Sequence, residues 1–217
     1  MPTLPDAASL TTARTEARGA LRAVYIYAPG AGSNVHDPFG RYVAGRLAEH
    51  AIETVRIQFP YMEAKQRRPD PPAVLEATWR AAIDALRPKQ GALIAGGRSM
   101  GGRIASQVVA QGAAVDALAL FAYPLHPPGR PERMRDAHLP QIAVPTLFCS
   151  GTRDAFASAN ELRAAAAKVS HATVHLLEHA DHGFAAPKAS GRTRDDIWSE
   201  AADTMVAWVK EALRIRK

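Results

Sequence analysis

Short, nearly continuous apolar runs alternate along the chain with longer segments of helical periodicity. Apolar runs bounded by Gly, Pro or polar residues are typical of strands buried on both faces of a sheet. The pattern predicts strands at 23–28, 54–59, 92–96, 117–122, 146–149 and 173–177. It predicts helices at 40–50, 73–86, 101–111, 159–169 and 195–214. This alternation indicates an α/β fold with a mostly parallel sheet of six or seven strands and helices on both faces.

Two segments interrupt the alternation, at 60–72 and 123–140, and both are rich in proline and carry Arg or His. They are long for plain connections, so they are expected either as lids or specificity loops or as surface excursions without a role. We expect a single domain over 23–217, without a large lid domain. We expect residues 1–22 to be an N-terminal extension that is either partly disordered or an edge strand.

Composition excludes several classes of protein. The single cysteine, Cys149, rules out an internal disulfide and fits a reducing compartment. The net charge of +6 is scattered and forms neither a basic stripe nor a known module, so we expect no nucleic-acid partner. The chain shows no signal-peptide pattern and no apolar run of the roughly 18 residues that a membrane span needs. We therefore expect a cytoplasmic protein with no membrane partner.

The strongest chemical signal is the segment GRSMG at 97–101, which lies between a predicted strand and a predicted helix. G-x-S-x-G in this setting is typical of the nucleophile elbow of α/β-hydrolases. There a tight turn lifts the serine oxygen above the sheet. The residues on either side of Ser99 then approach closely, so that only small side chains such as those of Gly97 and Gly101 fit. The spacing is not the G-x-G-x-x-G of a dinucleotide-binding turn, and no phosphate-loop lysine follows.

A serine hydroxyl needs a base, and the base needs an acid that holds its tautomer. In α/β-hydrolases the chain order is serine, acid, histidine. Asp154 follows the strand at 146–149, although taken alone it is equally expected as a helix cap. His179 and His182 both lie in the loop after the last strand, with His182 farther into it. We favour His182 because it matches the family pattern given below, and we expect a polar loop role for His179. The three in order predict a catalytic triad of Ser99, Asp154 and His182.

Acyl transfer also requires N–H donors for a negatively charged oxygen. One donor is expected to be the backbone N–H of Met100, directly after the serine. The second is expected from the loop at 29–33, where Gly30 and Gly32 let the backbone approach the substrate. We assign it to Ala31, with Gly32 as the alternative.

Several blocks of sequence together resemble a known family. They are PGAG at 29–32, HDPF at 36–39, FPYM at 59–62, GRSMGGR at 97–103, YPLHPPG at 123–129, GTRD at 151–154 and DH at 181–182. In these blocks the chain resembles, from about residue 24 to its C-terminus, the small bacterial α/β-hydrolase family related to dienelactone hydrolases. The resemblance implies the α/β-hydrolase fold, the triad positions and an architecture without a large lid. It implies little about the substrate.

The resemblance also points to loop residues around the site. It implies that His36 and Asp37 order the mouth of the site and that Arg98 and His126 contact an acidic group of the substrate. Plain loop structure is the alternative for all four, and we favour it for Arg98. The full set of candidate substrate contacts is Gly30, Gly32, His36, Tyr61, Arg98 and His126.

The predicted function is hydrolysis of a small-molecule ester or thioester through an acyl-enzyme on Ser99, with no metal and no cofactor. An acyltransferase or a peptidase with the same triad is the alternative among enzymes. A catalytically silent scaffold that binds partners is the alternative outside them. The sequence leaves the substrate and the oligomeric state open.

Overall fold

The computed structural model of the chain describes residues 10–213. Its seven strands are β1 (Thr12–Thr15), β2 (Ala23–Ala28), β3 (Ile52–Ile57), β4 (Ala92–Arg98), β5 (Ala117–Phe121), β6 (Thr146–Gly151) and β7 (Ala172–Leu177). They form one sheet in the order β1-β3-β2-β4-β5-β6-β7. Strands β2 to β7 run parallel, and β1 lies antiparallel to β3 at the edge.

The helices lie on both faces of this sheet. They are α1 (Pro38–Ala48), α2 (Pro60–Glu63), α3 (Pro72–Ala85), α4 (Met100–Ala110), α5 (Ala159–Ala166) and α6 (Arg194–Ala212). Trp79 of α3, Ile104 of α4 and Leu162 of α5 belong to one apolar cluster. Phe39 of α1 and Met205 of α6 belong to the cluster on the other face. The predicted mostly parallel sheet between two helical layers is confirmed, with no large lid domain in the described residues.

Strand β3 differs from the sequence prediction at both ends. Strand β3 begins at Ile52, two residues before the predicted start, because Ile52 and Glu53 pair with Ala23 and Val24 of β2. It also ends two residues early, because Phe59 serves as the N-cap of α2, the single helical turn that begins the 60–72 segment. At the termini, residues 1–9 of the expected extension and Arg214 at the predicted end of the last helix lie outside the described residues.

The sheet order reverses between β2 and β4, which lie side by side at its centre. In open parallel sheets, binding sites form outside the carboxyl ends of the strands at such a reversal. Strand β4 leads directly into Ser99 at that edge, and β2 leads into the loop at 29–33. The loops after β6 and β7 carry Asp154 and His182 to the same edge.

Candidate active site

The backbone of Ser99 is strained. Its φ of 51° and ψ of −121° place a side chain in a region that residues other than glycine rarely adopt. Neighbouring elements hold this conformation, since the Ser99 N–H donates to the carbonyl of Phe121 on β5 at 2.8 Å. The Ser99 carbonyl accepts from the N–H of Arg103 in α4 at 3.0 Å. Sheet and helix therefore fix the sharp turn between β4 and α4.

The glycines of the motif are required by the neighbouring strand as much as by the turn. A Cβ atom on Gly97 or on Gly101 would collide with the carbonyl oxygen of Ala28 at the end of β2. A Cβ on Gly102 would lie 2.7 Å from the carbonyl oxygen of Gly97. The sequence predicts a close approach between the residues on either side of Ser99. In the structure, both Gly97 and Gly101 also lie against the end of β2.

The structure brings Ser99, His182 and Asp154 into one hydrogen-bonded row. The Nε2 atom of His182 lies 2.9 Å from Ser99 Oγ. Its Nδ1 atom lies 2.8 and 3.0 Å from the two carboxylate oxygens of Asp154. The Asp154 side chain is fully buried, whereas 22% of the His182 side chain is exposed. A buried acid and a base open to solvent suit proton transfer to an incoming substrate.

The loop that carries His182 is a tight turn closed on itself. Asp181 N–H donates to the Ala185 carbonyl at 2.9 Å, and Ala185 N–H donates to Asp181 Oδ1 at 2.9 Å. Phe184 has a φ of 57°, and its ring is fully buried. The turn therefore projects His182 toward Ser99 while Phe184 anchors the loop in the core.

Arg98 fastens this loop to the nucleophile elbow. Its Nη2 donates to the backbone carbonyl of His182 at 3.1 Å. Its guanidinium carbon lies 5.5 Å from the ring centroid of Phe184 and 5.9 Å from that of Phe39. Only 19% of the Arg98 side chain is exposed. These contacts tie Arg98 to the loop that carries His182, and whether the guanidinium also binds substrate stays a prediction.

Asp37 connects the same region to the 29–33 loop. As the N-cap of α1 it accepts from Gly40 N–H at 2.9 Å, and it accepts from Tyr27 Oη at 2.5 Å. Ser33 Oγ donates to Asp37 at 3.2 Å, and Arg98 Nη1 lies 3.9 Å from it. The carboxylate therefore joins the 29–33 loop to the ends of β2 and β4 and to the start of α1.

The 29–33 loop passes directly beside the nucleophile. A Cβ on Gly30 would lie 3.5 Å from Ser99 Cβ. Tyr61 Oη donates to the Ala31 carbonyl at 2.7 Å, and burial raises the pKa of Tyr61 to about 12, which keeps the donor protonated. On the other side of Ser99, Met100 is the first residue of α4, so its N–H has no partner within the helix. The 29–33 loop and the start of α4 thus lie on two sides of the serine.

The remaining candidate residues have other surroundings. His36 is exposed beside Asp37, and its N–H donates to Asn34 Oδ1 at 2.8 Å. The ring of His126 is buried, with Nδ1 2.8 Å from the Pro127 carbonyl and Nε2 3.4 Å from Glu161. The Pro127 carbonyl raises the pKa of His126. The structure thus places His126 against the start of α5, with both ring nitrogens occupied.

His179, the alternative to His182, lies at the exposed start of the loop after β7, where its N–H donates to Thr152 Oγ1 at 2.9 Å. The residue that sequence reasoning missed is Phe156. Its ring stacks on the imidazole of His182, with centroids 4.0 Å apart and the planes 28° from parallel. Its only signal in the sequence is its position two residues after Asp154.

A second serine–histidine contact occurs under the 123–140 segment. Ser106 Oγ lies 2.8 Å from His138 Nε2 but donates to the carbonyl of Arg103 at 2.7 Å. Ser106 is fully buried, and burial lowers the pKa of His138 to about 4. Because no substrate can reach a fully buried oxygen, this pair serves to anchor the segment to α4.

Two further observations concern metal ligands and membrane spans in the described residues. Between residues 10 and 213, no group of three or more His, Cys, Asp or Glu side chains is arranged to hold a metal ion. No helix in the same range is long and apolar enough to cross a membrane.

The fold, the strained serine between β4 and α4 and the Ser–His–Asp geometry define an α/β-hydrolase. Residues 21–210 match the family model described as an alpha/beta hydrolase domain. The chain therefore belongs to the alpha/beta hydrolase domain family.

Solved structures of bacterial proteins share this fold. They include Est1E from Butyrivibrio proteoclasticus bound to ferulic acid (TM-score 0.73, 10% identity, 94% of this chain and 98% of that chain covered). A dienelactone hydrolase from Anabaena variabilis is also similar, with a TM-score of 0.69, 21% identity and 94% of this chain and 92% of that chain covered. So is an alpha-beta serine hydrolase homologue from Coxiella burnetii, with a TM-score of 0.68, 21% identity and 90% of this chain and 91% of that chain covered. The resemblance to bacterial α/β-hydrolases related to dienelactone hydrolases is confirmed.

Proposed function

We propose that the protein hydrolyses a small-molecule ester or thioester through an acyl-enzyme on Ser99. The observation that carries the proposal is the continuous row from Ser99 Oγ through His182 to Asp154, with contacts of 2.8 to 3.0 Å. A strained serine, a partly exposed imidazole and a buried carboxylate in this order are what nucleophilic acyl transfer requires.

In the first half-reaction Ser99 Oγ attacks the substrate carbonyl carbon while His182 Nε2 takes the hydroxyl proton. Asp154 holds the imidazole by Nδ1 and stabilises the imidazolium that forms. His182 then gives the proton to the leaving alcohol or thiol as the bond to the carbonyl carbon breaks. In the second half-reaction a water molecule attacks the acyl-enzyme, His182 takes a proton from it, and Ser99 leaves with that proton.

The oxyanion of each tetrahedral intermediate is assigned to backbone donors. Met100 N–H supplies the first, since it follows the nucleophile at the start of α4, where the helix dipole also favours negative charge. Ala31 N–H supplies the second, with Gly32 N–H as the alternative. Gly30 brings their loop against Ser99, and Tyr61 holds it through the Ala31 carbonyl.

The similar structures favour an ester as the substrate, and a thioester is kept because the same attack on a carbonyl carbon would cleave it. Among the structures similar to this chain, one is a dienelactone hydrolase and another, Est1E, holds ferulic acid. We also propose that the protein acts as a cytoplasmic enzyme without nucleic-acid or membrane partners.

The test is labelling of the folded protein with a fluorophosphonate, followed by peptide mass spectrometry and a panel of aryl esters, thioesters and peptides. We expect one adduct, on Ser99, which is lost in Ser99→Ala and strongly reduced in His182→Ala. Turnover is expected on esters and thioesters.

Matched controls come from the chain itself. Ser106→Ala and His179→Ala should keep the adduct on Ser99, because neither side chain belongs to the hydrogen-bonded row. Absence of any adduct and any turnover in folded protein would contradict the proposal and favour the silent scaffold. Turnover of peptides alone, or transfer to an added alcohol in preference to water, would instead replace the ester hydrolase by a peptidase or an acyltransferase.

A further inference from the structure

The side chain of Phe156 covers one face of the His182 imidazole. The ring centroids lie 4.0 Å apart with an interplanar angle of 28°, so the contact is a face-to-face stack and not an edge contact. The ring of His182 is thus bounded by Asp154 at Nδ1, by Ser99 at Nε2 and by Phe156 on one face.

The backbone of Phe156 fixes the position of its ring. Its N–H donates to Asp154 Oδ1 at 2.8 Å, so the residue that covers the base also orients the acid. Its carbonyl accepts the N–H of His126 at 3.1 Å, which ties the turn after β6 to the start of the 123–140 segment. Both bonds are made by backbone atoms, and both persist when the side chain is changed.

From this geometry we infer that Phe156 stabilises the positively charged form of His182 through its aromatic face. This role rests on the proposed function, in which His182 becomes an imidazolium in every transition state. The face of a benzene ring carries negative charge and attracts a cation within about 6 Å of its centroid. The stack therefore stabilises the transition state more than it stabilises the resting enzyme, which is the condition for accelerating a reaction. Phe156 is a positioning residue that acts through His182.

Apolar packing alone would make a different prediction. A leucine at 156 could fill much of the same space and exclude water from the imidazole face, but it offers no negative ring face. A phenylalanine with fluorine substituents keeps the shape of the ring while each fluorine withdraws charge from its face. Fluorination thus separates the electrostatic contribution of the ring from its packing.

The experiment places Phe, monofluoro-, difluoro- and trifluorophenylalanine at position 156 of the full-length protein and measures kcat and KM on one aryl ester. We expect kcat to fall stepwise with the number of fluorines, by about 3- to 30-fold over the series, with KM little changed. The kcat of Phe156→Leu should be equal to or lower than that of the trifluorophenylalanine variant, and Phe156→Tyr should keep most of the activity.

The matched control is the same fluorine series at Phe148. That ring is fully buried and makes an edge contact with Tyr123, 5.5 Å between centroids, so its fluorination should leave kcat unchanged. A flat series at 156 with an active, Ser99-dependent enzyme overturns the inference and leaves the proposed function standing. Turnover that survives Ser99→Ala removes the proposed function, and the inference with it.

Discussion

Replacing Arg98 by methionine tests whether this residue holds the catalytic loop or binds substrate. Methionine keeps a long unbranched chain but removes the bond from Nη2 to the His182 carbonyl and the contact with the ring of Phe184. A hydrogen bond from a charged donor is worth about 1.5–3 kcal/mol, and a cation–π contact about 0.5–1 kcal/mol. Since these contributions share one side chain and are not fully additive, we expect a loss of about 2–3 kcal/mol in the free energy of unfolding.

The effect on catalysis follows from the same contacts. Without Arg98 the loop that carries His182 loses its tie to the nucleophile elbow, and a displacement of about 1 Å in such a site costs about 100-fold in rate. We expect kcat to fall about 10- to 100-fold for Arg98→Met, with KM nearly unchanged for a neutral ester and for an anionic ester of the same leaving group. The kcat of Arg98→Lys should lie between those of the wild type and Arg98→Met, because an ammonium keeps the charge but not the planar donor geometry.

Urea unfolding and steady-state kinetics on the ester pair provide the two measurements. A structural role for Arg98 is refuted if Arg98→Met unfolds like the wild type and shows a raised KM for the anionic ester only. That pattern would mean that the guanidinium binds an acidic group of the substrate, the role that the family resemblance implied.

Three further predictions concern the surroundings of the site. Burial lowers the pKa of His138 to about 4, below its usual 6.5, so the fold loses stability as pH falls from 6.5 to 4 and this histidine has to take up a proton. Because the side chain is only partly buried, we expect this loss to be about 1–2 kcal/mol. The unfolding free energies of wild type and His138→Gln should converge over this range, and parallel curves would contradict the assignment. Gly101→Ala should abolish soluble folded protein or activity, because the new Cβ collides with the Ala28 carbonyl. A normal kcat and a normal thermal midpoint would show that β2 can move to accommodate the methyl group. Tyr61→Phe should reduce kcat about 3- to 10-fold without changing KM, because the Ala31 carbonyl loses its donor; an unchanged kcat would show that the loop needs no such support.

The sequence predicts most of the sheet because its central strands are buried on both faces and read as continuous apolar runs. Strand β1, with the sequence TART, has alternating burial and lies at the edge, so its polar residues give only the weak expectation of an edge strand. The early start of β3 depends on its pairing with β2, a contact between distant parts of the chain that local hydrophobicity does not report.

The candidate site divides in the same way. Ser99, Asp154 and His182 each follow a predicted strand, and a parallel sheet brings such positions to one edge, so their proximity follows from order along the chain. The stack of Phe156 on His182 and the tie from Arg98 to the His182 carbonyl depend on how separate loops pack. Neither has a periodicity or a spacing that sequence reasoning can use. The ring of His126 is a further example, since its partner Glu161 lies 35 residues away.

The measurement that tests the central claim most directly is capture of the acyl-enzyme. The wild-type protein is mixed rapidly with p-nitrophenyl acetate, quenched in acid within the first turnover and digested for peptide mass spectrometry. The account predicts one acetyl group on Ser99 in the wild type, none in Ser99→Ala and slow formation in His182→Ala. An acetyl group on another residue, or release of nitrophenol without any acyl intermediate on Ser99, would contradict it.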